Sequence, residues 1–111
     1  MAVTPKVLIE SKYAENSQTT QYTADNVKTY IDKFSVSNNS GAVATIAVNL
    51  VVSAGAAGAT NLILPAKSIA DGEVYTCPEL VGQVLDAGGF ISTIAGTGSA
   101  LVIRASGREV S

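Results

Sequence analysis

Between Val43 and Ser53 the chain alternates: Ile46, Val48, Leu50 and Val52 fall on one side, and Thr45, Ala47, Asn49 and Val51 on the other. Period two is the period of extended backbone, whose successive side chains point to opposite faces. At 3.6 residues per turn the same β-branched residues would scatter around a helix, so the segment reads as a strand with one strongly buried face. Asn38-Asn39-Ser40-Gly41, just before it, has turn chemistry.

Upstream, Val27, Thr29 and Ile31 share one parity and Phe34 and Val36 the other, so the apolar face changes side near Asp32-Lys33. One extra residue inverts an alternation, and a β-bulge or bend there restores a common core face. These two segments together predict an antiparallel hairpin.

Downstream, Leu62 and Leu64 are read as inward, and Pro65 marks an edge position or a strand end. Asp71-Gly72 is a tight-turn signal leading into a short strand, Glu73 to Thr76. Pro78 to Leu85 is the one plausible helical piece. Gly-rich breaks then precede strands at Phe90–Ile94 and Leu101–Ala105. Seven or eight short strands with Gly, Asn, Asp and Ser turns predict an all-β fold, an antiparallel β-sandwich. Lys6 to Ile9 reads as a strand or an arm, and Glu15 to Thr20 as a polar loop, so residues 1–25 are taken as an N-terminal arm or a strand plus polar loop and 26–111 as the sandwich, one domain overall.

A chain of 111 residues suits one domain, burying about 65% of its unfolded surface. It is 47% hydrophobic but only 14% charged, against roughly 25% for an average globular chain. A surface so poor in charge suggests that a partner covers part of it. Seven basic residues against nine acidic ones, a net charge of −2, offer no basic footprint for nucleic acid.

The first ten residues lack the apolar core of a signal peptide. No charge occurs from Phe34 to Ala66, long enough to span a bilayer, but the Asn-Asn-Ser-Gly turn, Asn49 and the small-residue run Ala54–Ala59 argue against a membrane segment.

Chemistry has little to work with. The chain has no histidine, which removes His-based triads and most zinc sites. The single cysteine, Cys77, has no partner for a disulfide and reads as a buried small hydrophobe. Asp25, Asp32, Asp71, Glu73, Glu79, Asp86 and Glu109 are scattered over turns and strand ends rather than paired as in a glycosidase. Gly55-Ala56-Ala57-Gly58 lacks the GK[ST] ending of a phosphate loop and reads as a flexible connection. Asn38-Asn39-Ser40 matches the glycosylation sequon, but with no secretory signal it reads as a turn. The expectation is therefore a non-enzyme without cofactor or metal. Arg104 and Arg108, whose planar forks suit carboxylates, and Tyr13, Tyr22, Tyr30 and Tyr75 are the side chains suited to an interface.

From Tyr30 onward, the segments Ile31-Asp32-Lys33-Phe34, Asn38-Asn39-Ser40-Gly41, Val48-Asn49-Leu50-Val51, Asn61-Leu62-Ile63-Leu64, Glu79 to Leu85 and Ser106-Gly107-Arg108-Glu109 resemble small virion proteins of tailed phages. The likeness is to the capsid decoration proteins, also called cement or staple proteins, of short-tailed phages of the epsilon-fifteen type. It covers about 80 residues and rests on strand and turn segments, not on catalytic signatures; the first 25 residues have no matching pattern. The resemblance implies a jelly-roll-like sandwich that binds, as a homo-oligomer and expectedly a dimer, to the outer face of a capsid. There it would clamp neighbouring major capsid proteins, after synthesis in the host cytoplasm.

The interface residues expected on this reading are Lys6, Val7, Leu8, Ile9 and Tyr13 in the N-terminal arm, whose apolar members would bury on a neighbour, and Arg104 and Arg108, which would meet acidic capsid residues. A carbohydrate- or host-surface-binding jelly roll of a phage tail or fibre is the second reading, weakened by the absence of tryptophan and a total of six aromatics.

Overall fold

The computed structural model describes residues 2–111. Nine strands among the described residues form two antiparallel sheets. Sheet 1 holds β1 (Val3–Tyr13), β9 (Leu101–Val110), β3 (Lys28–Asn38) and β6 (Val74–Tyr75) in that order, with β7 (Val84–Leu85) beside β6 on the same edge of β3. Sheet 2 holds β2 (Thr19–Thr23), β8 (Phe90–Ala95), β4 (Ala44–Val51) and β5 (Leu62–Ile69).

The pairing is nested. β4 and β5 form a hairpin, and outside it β3 pairs with β6, β2 with β8, and β1 with β9. Setting the two-residue β7 aside, this is the eight-strand winding of a jelly roll. The expected all-β sandwich is therefore the fold, although three strands run to ten or eleven residues rather than being uniformly short. No helix among the described residues is long and apolar enough to cross a membrane.

The parity change in β3 marks a bulge. β3 pairs with β9 as Ile31 to Gly107 and then Lys33 to Ser106, leaving Asp32 as the extra residue. Thr29 and Ile31 before it, and Phe34, Val36 and Asn38 after it, are all buried on the core side. At the same place the β9 backbone comes so close that a Cβ on Gly107 would lie 2.0 Å from the Tyr30 carbonyl oxygen. Glycine at 107 is thus a packing requirement rather than a strand breaker, and β9 runs on to Val110 instead of ending at Ala105.

Four expectations are corrected. β3 and β4 are not a hairpin: they lie in opposite sheets. Asn38 turns the chain between them. Its buried amide donates from Nδ2 to the carbonyls of Ala42 (2.7 Å) and Ile69 (2.8 Å), while Oδ1 accepts from the N–H and hydroxyl of Ser40. This side chain fixes the corner to the end of β5, a job a two-residue hairpin turn does not require.

Pro78–Leu85 is a run of turns ending in β7, because Leu80 must drop into the core and β7 must pair with β3. The one helical turn is a 3-10 turn at Ala59–Asn61. β4 ends at Val51, so Val52 is exposed, while Asn49 and Val51 on the supposed outer side are buried. Asn49 donates to Gly58 O and Asn61 Oδ1, and Asn61 Nδ2 donates to Ala56 O, which ties the glycine-rich connection down.

Finally, the N-terminal segment, read as an arm or a strand plus polar loop, is strand over most of its described length. β1 pairs with β9 from Val3 to Tyr13, and Thr19–Thr20, expected in a loop, belong to β2.

Most of the core is aliphatic, with Ile31, Phe34, Ile46, Ile69, Leu80, Ile91, Leu101 and Ile103 fully buried. At one end a polar pin joins the sheets. The Tyr22 hydroxyl shares a 2.7 Å hydrogen bond with Thr29 Oγ1 and donates to Glu109 Oε2 at 2.5 Å, while Lys6 Nζ approaches the same carboxylate at 3.2 Å. The Tyr22 hydrogen bond first, and Lys6 after it, hold the Glu109 carboxyl below its ordinary value, and burial together with the Glu109 carboxylate pushes the Tyr22 phenol up to about 12.

A phenol that ionises later in the folded chain contributes stability below its unfolded value of 10, and loses it as pH rises from 10 to about 12. Thermal midpoints measured from pH 8 to 12 are expected to fall over that interval. Tyr22→Phe is expected to cost about 1–2 kcal/mol at pH 7 and to make the alkaline fall shallower. An unchanged alkaline profile would remove Tyr22 as its source.

Candidate interaction surface

The outer face of sheet 1 follows from register. In β9 the buried Leu101, Ile103, Ala105 and Gly107 alternate with Val102, Arg104, Ser106, Arg108 and Val110, which therefore point outward. Directly paired residues share a face. Tyr13, Val102, Ser37 and Val74 form one outward row; Val7, Ser106 and Lys33 a second; Pro5, Arg108, Tyr30 and Val84 a third; and Val3, Val110 and Lys28 a fourth.

This face carries exposed apolar groups beside charge. Val3, Tyr13, Val74 and Val84 are each more than 40% exposed, as is Val81 in the β6–β7 connection. Arg108 lies 5.1 Å over the Tyr30 ring and grips the bulged Asp32 with a two-pronged fork, Nε to Oδ2 and Nη2 to Oδ1, both 3.0 Å. The Asp32 carboxylate raises the already high pKa of Arg108 further, so the guanidinium stays charged. Arg104 is held less firmly, with one 3.4 Å contact to Glu10, a residue whose side chain is 82% exposed.

Charge is divided unevenly between the sheets. The strands of sheet 1 hold six of the seven basic residues, Lys6, Lys12, Lys28, Lys33, Arg104 and Arg108, against three acidic ones, Glu10, Asp32 and Glu109. That is +3, and the rest of the chain, one base and six acids, is −5.

The interface residues expected from the sequence meet different fates. Leu8 and Ile9 are buried in the chain's own core and are not available to a neighbour, because β1 is an integral strand. Lys6 points to the inner side and holds Glu109. Val7, Tyr13, Arg104 and Arg108 share the outer face of sheet 1. Tyr30, one of the tyrosines suited to an interface, joins them, as do Lys33, Val74, Val81 and Val84 there or at its edge, four residues that the sequence did not single out for an interface. Only the bulge at Asp32 marked that neighbourhood.

The sheet edges are poorly suited to strand addition. β1 carries Pro5 and two register breaks, β5 carries Pro65 and two more, β2 has one break in five residues, and the fourth edge is split between β6 and β7. Proline, bulges and short strands are the devices that blunt exposed edges, which leaves the faces for contact.

Catalytic geometry is sparse. The described residues contain no cluster of three or more potential metal ligands. Cys77 is buried, and burial pushes its thiol up to about 12, the opposite of an activated nucleophile. Glu79, lowered chiefly by the hydrogen bond from Tyr75, is a fully hydrated carboxylate on a connection. Comparison of the chain with family models, curated proteins and solved structures returns no match.

Proposed function

We propose that this chain is a structural virion protein that binds the outer surface of a tailed-phage capsid as a homo-oligomer and clamps neighbouring major capsid proteins. The observation that carries the reading is the outer face of sheet 1, where exposed valines and Tyr13 surround two arginines and Tyr30. Tyrosine, arginine and large apolar groups are the residues that concentrate binding energy in protein interfaces. The low charge of the chain and its likeness to capsid decoration proteins support the same reading.

A protein that binds only the assembled shell stabilises it by mass action, by about 2.7 kcal/mol per site at a concentration 100 times the dissociation constant. Contacts repeated by the symmetry of the shell add up without any single dominant anchor.

Purified protein is expected to co-sediment saturably with shells that lack it, and to raise their thermal resistance. Absence of both effects, with binding to host-surface glycans instead, would move the assignment to a tail or fibre component.

A further inference from the structure

The two strands that edge β3 leave a gap. β7 covers Thr29 and Tyr30, and β6 covers Val36 and Ser37, so Asp32 to Ser35 have no strand on that side and the Thr76–Gly82 connection passes beside them. A cavity of about 450 Å³ opens there, lined by Asp32, Lys33, Thr76, Pro78 and Val81. A second depression, of about 150 Å³, is lined by Lys33, Ser35, Arg104, Ala105 and Ser106. Lys33 lines both, so the two adjoin there as one shallow groove at the outer face of sheet 1.

The groove has two chemical ends. At the cavity, Pro78, Val81 and the aliphatic stem of Lys33 provide an apolar wall. Asp32 in the same wall is already neutralised by the Arg108 fork. Lys33 and Arg104 both line the smaller depression. Arg104 reaches toward β1, with Nη1 3.4 Å from the exposed Glu10 carboxylate and 3.5 Å from Ser11 Oγ. Lys33 is exposed and, among the described residues, is the one basic side chain with neither a carboxylate nor an aromatic ring as partner.

Lys33 stands beside an apolar wall with no ion pair among the described residues to give up, so an incoming carboxylate meets it without breaking one. We infer that this groove binds an extended segment of the partner protein carrying a carboxylate beside an apolar side chain. The carboxylate pairs with Lys33 at the smaller depression, and the apolar side chain lies against Pro78 and Val81. The inference rests on the shell-binding reading above and names the contact through which that binding occurs. The outer face carries Lys28, Lys33, Arg104 and Arg108 against Asp32 and Glu10, and this positive excess favours an acidic partner.

Co-sedimentation with shells lacking the protein tests the groove, using wild type, Lys33→Glu, Lys33→Arg and Thr20→Glu, with a thermal melt of each to establish folding. Thr20 is an exposed residue of the other sheet. Lys33→Glu is expected to weaken binding at least about tenfold, while Lys33→Arg and Thr20→Glu stay within about threefold of wild type. Wild-type binding by a folded Lys33→Glu protein, or equal loss in Thr20→Glu, overturns the groove and leaves the shell-binding reading standing. If wild type itself does not sediment with shells, that reading fails and the groove's proposed partner fails with it.

Discussion

A chain lacking residues 1–13 is expected to lose cooperative folding. β1 forms the edge of sheet 1, pairing with β9 from Val3 to Tyr13, and it delivers Leu8 and Ile9 to the core at 6% and 3% exposure. Truncating a buried leucine or isoleucine costs about 2–5 kcal/mol each, and a domain has only about 5–15 kcal/mol in total. Losing both side chains and the ladder that holds β9 therefore removes most or all of the net stability. Deletion would also strip Lys6 from the pin at Glu109. Far-UV circular dichroism through a thermal or urea titration is the measurement. A sharp transition retained by the truncated chain would show that β1 is a detachable arm.

The second large effect is expected at Gly107. An alanine methyl would meet the Tyr30 carbonyl oxygen at 2.0 Å and Leu8 Cδ1 at 3.0 Å. The leucine tip is free to shift; the carbonyl belongs to the β3 backbone beside the bulge and moves only with the ladder. Overpacking of this kind costs about 1–3 kcal/mol and occasionally more, and the upper end applies where backbone must yield. For a domain near 100 residues that predicts a fall in the thermal midpoint of roughly 10–20 °C. Gly98→Ala is the matched comparison, since its new methyl would meet only Asn16 side-chain atoms at 3.5 Å or more, and it is expected to shift stability by no more than about 0.5 kcal/mol. Equal midpoints for Gly107→Ala and wild type would mean that β9 has slack at the bulge.

These two results bear on the proposed function as well as on the fold. If β1 is integral, the interface contribution of the N-terminal segment is confined to its outward residues, Val7 and Tyr13 among them, because Leu8 and Ile9 are used inside. If Gly107 and the bulge are rigid, then Asp32 is presented at a fixed place for the Arg108 fork, and Lys33 is presented next to it. The proposed docking face is in that sense built by the packing beneath it.

Much of the fold was readable along the chain because inward and outward positions alternate locally. Ile46 and Val48 were assigned to the core from period two alone, and they are buried. The inversion between Ile31 and Phe34 exposed the bulge, since a strand that keeps one face in the core must absorb a parity change somewhere. Pro65 on an edge strand and Asp71-Gly72 in a turn were legible because proline lacks a donor and Gly72 sits at φ +81°.

What the chain did not reveal is which strand meets which. β3 and β4 carry the same kind of alternation and are joined by a short turn, and that pattern is identical for a hairpin within one sheet and for a crossing between two. The decision is made by partners far away in the sequence: β9 and β6 take the two sides of β3, and β8 and β5 take the sides of β4. Likewise Leu8 and Ile9 read equally well as an arm's apolar tip or as core, until β9 supplies the ladder that settles them inward. The groove at Lys33 exists only because β6 and β7 stop short of each other along β3. The sequence by itself determined strand positions, inward faces, the bulge and the poverty of catalytic groups, all consequences of local backbone geometry and side-chain chemistry. Tertiary structure alone decided the pairing order, the loss of Leu8 and Ile9 to the core and the gathering of cations on one face, because hydrogen-bonded ladders join residues whose separation along the chain leaves no local trace.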